Sequence, residues 1–189
     1  NEEGYIPYNP GQTIATENTT PFKIGSVNPK WNLGWRHGFS YKGINANVMF
    51  TARIGGNVIS KTQATLDRFG VSKASADARD AGYVMLGNIK MQPEDYYGTI
   101  YDLDSYYVYS ATNIRLQEAS IGYTLPNKWF GNVVKNVNVS VYGTNLWMIY
   151  NKAPYDPELT ASTGTFGQGY DYFMLPSSRT YGFSLKFGF

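Results

Sequence analysis

The sequence predicts an antiparallel all-β fold, a segment of a transmembrane β-barrel that carries long loops. Three observations predict it. The 4 Trp, 17 Tyr, 10 Phe and 20 Gly residues favour strands and turns, and only 16% of the residues are charged. Apolar and polar residues alternate with a period of two in five segments. The connections between these segments are alternately short and long, which is typical of barrels that span an outer membrane.

Each predicted strand has one apolar face, because successive side chains of a strand point to opposite sides. The five strands are predicted over residues 31–41, 44–54, 112–125, 136–148 and 179–189. The last is the clearest, since its odd positions are all large and apolar whereas its even positions are small or polar. Those odd positions are Tyr181, Phe183, Leu185, Phe187 and Phe189. In the third strand the phase of the alternation changes near Gln117, which predicts a β-bulge.

The connections predict which way each strand runs. Lys42-Gly43 predicts a tight turn and 126–135 a short link, whereas residues 1–30, 55–111 and 149–178 are predicted to be extracellular loops. The first strand then begins outside the membrane and the fifth ends on the inner side, as an odd number of antiparallel strands requires. Within the first long connection, a capping box at Ser60 predicts a helix over 64–69. A second helix is predicted over 75–81, ending at Gly82.

Aromatic residues near the strand ends favour a membrane, because Trp and Tyr prefer the level of the lipid headgroups. The residues predicted near the outer boundary are Trp31, Trp35, Tyr107, Tyr109, Trp147, Tyr150 and Tyr181, and those near the inner boundary are Tyr123, Trp129, Phe130, Phe187 and Phe189. The alternative is a secreted β-sandwich that binds glycans through its tyrosines. Because the smallest barrels of this kind have about eight strands, five strands predict a part of something larger.

Composition argues against several other classes of protein. A net charge of +2 is too even for a nucleic-acid-binding surface, and the absence of cysteine excludes thiolate chemistry. His37 lies in the apolar row of the first strand, where a catalytic base has no partner. Asp102-Leu103-Asp104 and Asp156-Pro157-Glu158 could join a calcium site, but capping of turns is the preferred interpretation. The sequence therefore predicts no enzyme, no catalytic residue, no metal site and no cofactor.

Several short segments, in order along nearly the whole chain, carry a family resemblance. They are Lys23-Ile24-Gly25-Ser26-Val27-Asn28-Pro29, Leu33-Gly34-Trp35, Ser40-Tyr41-Lys42-Gly43, Arg53-Ile54-Gly55-Gly56, Gly70-Val71-Ser72, Ile114-Arg115-Leu116, Ile121-Gly122-Tyr123-Thr124-Leu125-Pro126, Gly143-Thr144-Asn145-Leu146, Tyr155-Asp156-Pro157-Glu158 and Pro176-Ser177-Ser178-Arg179-Thr180-Tyr181. With these segments the chain resembles the C-terminal end of the SusC-like family of TonB-dependent outer-membrane transporters.

The resemblance implies that residues 1–189 form the last five strands of a barrel of about 22 strands in the outer membrane of a Gram-negative bacterium. It implies active import of large nutrients, glycans or peptides. The implied partners are the rest of the barrel, a plug domain that this chain lacks, a SusD-like surface lipoprotein, outer-membrane lipid and the TonB complex, which acts through the missing N-terminal part. The terminal pattern from Tyr181 to Phe189 resembles the signal that the outer-membrane assembly machinery recognises.

Two sets of residues are candidates for contact within such a transporter. Exposed Tyr rings could bind a sugar or grip a partner protein, although packing of the loops against one another is the alternative. The candidates for ligand or partner contact are Tyr96, Tyr97, Tyr101, Tyr106, Tyr155, Tyr170 and Tyr172. The residues predicted to face the lumen, and there to contact plug or water, are Asn45, Asn47, Arg53, Asn138 and Tyr142.

Overall fold

The structure is a computed structural model that describes residues 23–129, 134–159, 164 and 167–188. These residues form ten strands and three α-helices. The strands are β1 (Trp31–Tyr41), β2 (Ile44–Ile54), β3 (Asn57–Ser60), β4 (Val84–Leu86), β5 (Ile89–Met91), β6 (Val108–Ser110), β7 (Asn113–Thr124), β8 (Lys135–Asn151), β9 (Tyr170–Asp171) and β10 (Thr180–Gly188), and the helices are α1 (Lys61–Arg68), α2 (Lys73–Ala81) and α3 (Pro93–Ile100). No helix within the described ranges is long and apolar enough to cross a membrane.

The chain divides into two compact units. The sheet unit comprises Asn28–Gly56, Ser110–Leu159 and Leu175–Phe189, and the helical unit comprises Asn1–Val27, Asn57–Tyr109 and Thr160–Met174. The sheet unit is strongly basic, with ten Lys or Arg and three Asp or Glu, a net charge of +7. The described part of the helical unit has six basic and eight acidic residues, a net charge of −2.

The sheet unit contains one five-stranded antiparallel sheet in the order β1-β2-β7-β8-β10. Its register places residues of like polarity in rows across the strands, because antiparallel partners point to the same face. One row joins Tyr41, Ile44, Tyr123, Val139 and Leu185, and every residue in it is apolar or aromatic. The sheet therefore has one continuous apolar face.

One end of the sheet, here called the turn end, carries the tight connection from β1 to β2. Lys42 and Gly43 both have positive φ, 48° and 89°, which is the geometry of a type I′ hairpin turn. A side chain at Gly43 would lie 2.8 Å from the carbonyl oxygen of Thr124, so only glycine fits there. Thr124 N–H in turn donates to Gly43 C=O at 2.7 Å, which ties this turn to the end of β7.

The three interior strands, β2, β7 and β8, pair irregularly in the opposite half of the sheet. Between β2 and β7 the register shifts after Met49, which pairs with Glu118, so that Phe50 pairs with Leu116 and Gln117 is the extra residue. Asn145 in β8 has a φ of 53°, beside a second register shift between β7 and β8. The bulge at Gln117 lies where the sequence pattern changes phase.

The helical unit has a small core built mostly from tyrosine. Its buried members are Ala64, Tyr96, Tyr97, Ile100 and Tyr107. The Ser60 hydroxyl caps α1 by accepting from Gln63 N–H at 3.1 Å, but the Gln63 amide donates to the Asp67 carboxylate instead of returning to Ser60. The capping box is therefore only half formed.

The five strands of the large sheet lie within three residues of the predicted segments, the largest difference being at the end of β8, which continues to Asn151. The helix predicted over 64–69 spans Lys61–Arg68, and the one predicted over 75–81 spans Lys73–Ala81 and ends at Gly82, whose φ is 77°. The helix Pro93–Ile100 and the short strands of the helical unit have no counterpart among the predicted elements.

Candidate functional site

The residues predicted to face the lumen all lie on the polar face of the large sheet. Asn47 pairs across the strands with Gly38 and Ser120, and Ser120 pairs with Tyr142. The next row toward the turn end contains Ser40, Asn45, Gly122, Ser140 and Ser184. Arg53 lies near the opposite end of the sheet, where it pairs with Asn32 of β1 and Asn113 of β7.

A hydrogen-bonded network joins four strands on this face. Asn45 and Asn138 both donate through Nδ2 to the Thr124 hydroxyl, each at 3.0 Å. The Ser40 hydroxyl donates to Asn45 Oδ1 at 2.9 Å. Because Asn45 is bonded to neighbours on both sides and Asn138 shares one of them, these side chains present a held array of polar atoms rather than freely rotating groups.

Tyr142 lies across a glycine on the last strand. A Cβ built on Gly182, its direct partner in β10, would lie 2.3 Å from Tyr142 Cζ. The ring therefore occupies the space that any side chain at position 182 would need. This contact fixes Tyr142 flat against the polar face, with about two-fifths of its surface exposed.

The most buried charges of the sheet unit surround Arg115, a residue of β7 on the polar face. Its guanidinium donates to both carboxylate oxygens of Asp156, at 2.8 and 3.3 Å, and lies 3.4 Å from a Glu158 oxygen. The side chains of Arg115 and Asp156 are only 6% and 8% exposed. Arg115 Nε also donates to Asn113 Oδ1 at 3.3 Å. This cluster holds the connection that follows β8 against the sheet.

The environment of Asp156 favours its charged form. Burial acts to raise the pKa of this carboxyl. The hydrogen bonds from Arg115, the Glu158 backbone and Ser177, together with the Arg115 charge, outweigh burial, so the pKa lies below its ordinary value. The Glu158 N–H bond at 3.0 Å is the turn cap that the sequence predicts for Asp156-Pro157-Glu158. The sequence does not predict Arg115 as its partner.

Two of the tyrosines predicted to contact ligand are core residues. Tyr96 and Tyr97 are each 8% exposed and pack edge to face with ring centroids 5.1 Å apart. Burial raises the pKa of both phenols, so both stay neutral. Packing, the alternative that the sequence left open, describes these two residues, and their rings are unavailable to a ligand in this conformation.

Two further candidates lie at the edge of the same core. The Tyr101 ring lies beneath two cations, with Arg68 Cζ 4.4 Å and Lys61 Nζ 5.5 Å from its centroid. Tyr106 is 45% exposed, and its hydroxyl accepts from Tyr96 at 3.3 Å. Of the cluster in residues 96–107, Tyr106 therefore offers the most accessible ring among the predicted contacts.

The remaining candidates lie in the second long connection. Tyr155 and Tyr172 are exposed, and the Tyr172 ring packs edge to face on Phe173 at 5.3 Å. Tyr170 is half-buried in β9, where it pairs with Ile59 of β3. Tyr155 belongs to the sheet unit, whereas Tyr170 and Tyr172 belong to the helical unit.

The apolar face of the sheet is exposed along its whole length. Trp35, Trp147 and Phe183 are 58%, 59% and 64% exposed, although all three lie within paired strands of the sheet. The aromatic residues at its loop end are Trp31, Trp35, Trp147 and Tyr150, and those at the turn end are Tyr41, Tyr123 and Trp129. The prediction that Tyr107 and Tyr109 lie at a membrane boundary is wrong, because Tyr107 is in the core of the helical unit and Tyr109 packs against that core. Phe130 and Phe189 lie outside the described residues.

The other polar clusters have ordinary structural partners. Within the described ranges, no three His, Asp or Glu side chains converge as metal ligands. Asp104 of the Asp102-Leu103-Asp104 segment pairs with Lys61. His37 stacks on Trp35 at a centroid distance of 5.8 Å on the apolar face.

Comparison with known proteins identifies the kind of protein that shares this arrangement. No protein-family model matches the chain. The TonB-dependent receptor P3 of Formosa agariphila is 28% identical over 173 residues, which cover 87% of this chain and 17% of the receptor. The resemblance to a TonB-dependent receptor is confirmed. The relatives that the comparisons find are receptors and importers, not enzymes.

Solved structures of an importer share the fold. The RagAB peptide importer in its open-open state superposes with a TM-score of 0.69 at 19% identity, over 98% of this chain and 20% of that chain. A structure of the RagAB peptide transporter gives 0.62 at 21% identity, over 94% and 19% of the two chains. The closed-closed state gives 0.61 at 20% identity, over 94% and 20%. The chain thus spans about a fifth, or less, of the length of the proteins it matches.

Proposed function

We propose that this chain is the C-terminal part of the β-barrel of a SusC-like TonB-dependent transporter in the outer membrane of a Gram-negative bacterium. The whole transporter imports large nutrients, glycans or peptides, together with a SusD-like surface lipoprotein. The plug domain and the segment that contacts TonB belong to the part of the transporter outside this chain. The observation that carries the proposal is the exposed apolar face of the large sheet.

The height of that face supports a membrane as its surroundings. The eleven residues of β1 extend about 33 Å at about 3.3 Å per residue. Strands of outer-membrane barrels tilt by roughly 40°, which reduces this length to a height of about 25 Å. An apolar band of about 25 Å is what such barrels present to lipid. Aromatic residues at both ends of the band match the two headgroup levels.

The alternative, a secreted β-sandwich, requires a second sheet over the apolar face. In the described part of the chain that face is exposed from Trp31 to Leu185. In water it would be an apolar patch far larger than soluble monomers carry. A β-sandwich therefore does not account for the exposed apolar face, whereas a membrane-embedded transporter does.

The free edges of the sheet support a larger barrel. β1 and β10 each have one strand neighbour within the described residues, so each offers a row of unpaired backbone groups to a further strand. In hydrocarbon these groups must be bonded, which a closed barrel achieves. We propose that about 17 further strands complete a barrel of about 22, and that the polar face, with Asn45, Asn47, Arg53, Asn138 and Tyr142, faces the plug or water.

The exposed side chains suggest where partners bind. Tyr106, Tyr155 and Tyr172 are the most exposed of the predicted contacts, and we propose them as contacts for the lipoprotein or the cargo. The residues of the assembly signal that the structure describes, Tyr181, Phe183, Leu185 and Phe187, all project from the edge strand β10 and are at least half exposed. Their role as a signal remains a proposal.

Fractionation of cells that express the full-length gene product tests this function. We expect the protein in the outer membrane, extracted only by detergent and migrating differently on gels before and after heating, as folded barrels do. Deletion of the gene should abolish growth on one class of oligomeric nutrient, and a matched panel of glycans and peptides then identifies the cargo. A soluble periplasmic or secreted protein would contradict the proposal.

A further inference from the structure

The turn end of the large sheet concentrates positive charge. The described residues at this end are 38–47, 120–129, 134–141 and 183–188, and none of them is acidic. Four lysines lie within these ranges, Lys42, Lys128, Lys135 and Lys186. The three acidic residues of the sheet unit, Glu118, Asp156 and Glu158, lie in mid-sheet or beyond the opposite end. An anion at the turn end would therefore meet no nearby carboxylate of this unit.

Lys42 is placed toward the apolar side of this end. Its ammonium lies 5.2 Å from the centroid of the Tyr41 ring, and Tyr41 belongs to the apolar face. Lys42 also occupies a left-handed backbone position, φ 48°, where Asn, Asp or Gly is favoured. The sequence thus has a long cationic side chain at a position where the backbone conformation favours Asn, Asp or Gly.

A second cation and two aromatic rings complete this rim. Lys128 and Trp129 belong to a 3₁₀ turn directly after β7, and Trp129 is 63% exposed. The Thr124 bond to Gly43 fastens the end of β7 to the turn that holds Lys42. Tyr123 is exposed on the apolar face between the two turns. The Lys42 ammonium thus lies beside an amphipathic ring at the border of the apolar face, and Lys128 lies on the exposed turn that follows β7.

A groove in the apolar face leads to this rim. Its upper part, of about 550 Å³, has small residues at its floor, Ala119 and Gly143, and Leu146 and Phe183 among its walls. Its lower part, of about 310 Å³, is lined by Ile44, Tyr123 and Val139. The two parts share Ile121 and Val141 among their lining residues, so they adjoin on the sheet, and the lower part reaches the row of Tyr123.

We infer that this groove and rim bind one phospholipid of the membrane leaflet at the turn end, and that its headgroup carries a net negative charge. An acyl chain lies in the groove beside Ala119, and the headgroup phosphate lies between the ammonium groups of Lys42 and Lys128. The occupant follows from the charge at the rim, the apolar lining of the groove and their continuity. The inference rests on the proposed function, since it requires lipid against the apolar face.

The full-length importer, purified in detergent and delipidated, provides the test. Phosphatidylglycerol and phosphatidylcholine are titrated separately, and bound lipid is counted by native mass spectrometry. We expect tighter binding of phosphatidylglycerol to the wild type, and a loss of about fivefold in its affinity for each lysine removed. The variant is Lys42→Asn with Lys128→Gln, in which Asn suits the backbone at position 42. The control is Lys30→Gln with Lys152→Gln, at the opposite end of the sheet, which should change neither affinity.

A second variant tests the groove independently of charge. Ala119→Leu fills the floor of the groove and should weaken the binding of both lipids by the same factor. Glycerol phosphate, a headgroup without acyl chains, should not compete with either lipid for the wild-type protein. Equal wild-type affinity for the two lipids, or the same loss in the control as in the lysine variant, would overturn the inference. Failure of the proposed function looks different, because the wild-type protein would then not be recovered from the outer membrane.

Discussion

The two units of this chain use tyrosine in opposite ways. In the helical unit Tyr107 is 0% exposed and packs edge to face with Tyr106 at 5.0 Å. In the sheet unit Tyr181 is 72% exposed on the apolar face. The same residue type forms a core in one unit and an outer surface in the other. A composition rich in Tyr therefore does not say whether the rings meet protein, water or lipid.

Charge separates the two units in the same way. The sheet unit has a net charge of +7, whereas the described part of the helical unit has −2. The near-zero balance of the whole chain hides this difference. A helical unit with an acidic surface and a buried aromatic core is built as water-soluble domains are. The sheet unit, apolar on one face and basic at its turn end, has the features that the proposed membrane boundary requires.

The largest expected difference between the units follows from truncating one tyrosine in each. Tyr107→Ala should destabilise the helical unit by about 3–5 kcal/mol, because it leaves a cavity in a small core. Tyr181→Ala should change the stability of the sheet by less than about 1 kcal/mol, because the Tyr181 ring is mostly exposed and its removal leaves no cavity. Hydrogen exchange of the full-length protein, followed separately over residues 57–109 and 135–151, measures both. Comparable deprotection in the two variants would contradict the contrast.

Adjacent residues of β2 test the two faces of the sheet. Val48 lies near the middle of the apolar face, and Asn47 lies beside it on the polar face. Val48→Lys should cost about 2–4 kcal/mol in a membrane and lower the amount of assembled, heat-modifiable barrel, since a charge then lies at mid-bilayer. Asn47→Lys, which adds the same side chain, should leave that amount nearly unchanged. If the polar-face variant is the more damaging one, the assignment of the faces is inverted.

The sequence predicts the strands of the sheet well, because their alternation is visible without knowing any partner. Even the bulge at Gln117 is predictable, since an extra residue reverses the phase of the pattern. The roles of the tyrosines were harder to predict. Tyr96 and Tyr97 lie on α3, whose Pro93, Glu94 and Asp95 are signals for a helix start that the pattern of aromatic residues obscured.

Contacts between segments that are far apart in the sequence cannot be predicted from local patterns. Arg115 and Asp156 are 41 residues apart, and nothing in either local pattern selects the other as its partner. A lone Arg among polar strand residues does carry a weak signal, because a charge within a strand needs a partner there. That signal points to a buried ion pair but cannot choose between Asp156, Glu158 and Glu118.

The smallest expected effect is that of acid on the buried Arg115–Asp156 ion pair, which can be compared with an exposed ion pair of the same sheet unit. The pKa of Asp156 lies below its ordinary value of 3.8, so the bond to Arg115 stabilises the fold fully above about pH 4. That stabilisation is lost as the pH falls through the lowered pKa, because the protonated carboxyl gives up the charged contact with Arg115. Hydrogen exchange over residues 152–159, corrected for the intrinsic pH dependence of exchange, should rise at low pH in the wild type. Asp156→Asn cannot ionise and should start less protected but stay independent of pH over this range.

The exposed pair Arg36–Glu118, at 3.1 Å, makes the same kind of bond in solvent and should contribute under about 1 kcal/mol. An acid response that persists in Asp156→Asn, or that vanishes in Arg36→Ala instead, would assign the effect to another carboxyl. The connection after β8 would then be held by packing rather than by charge.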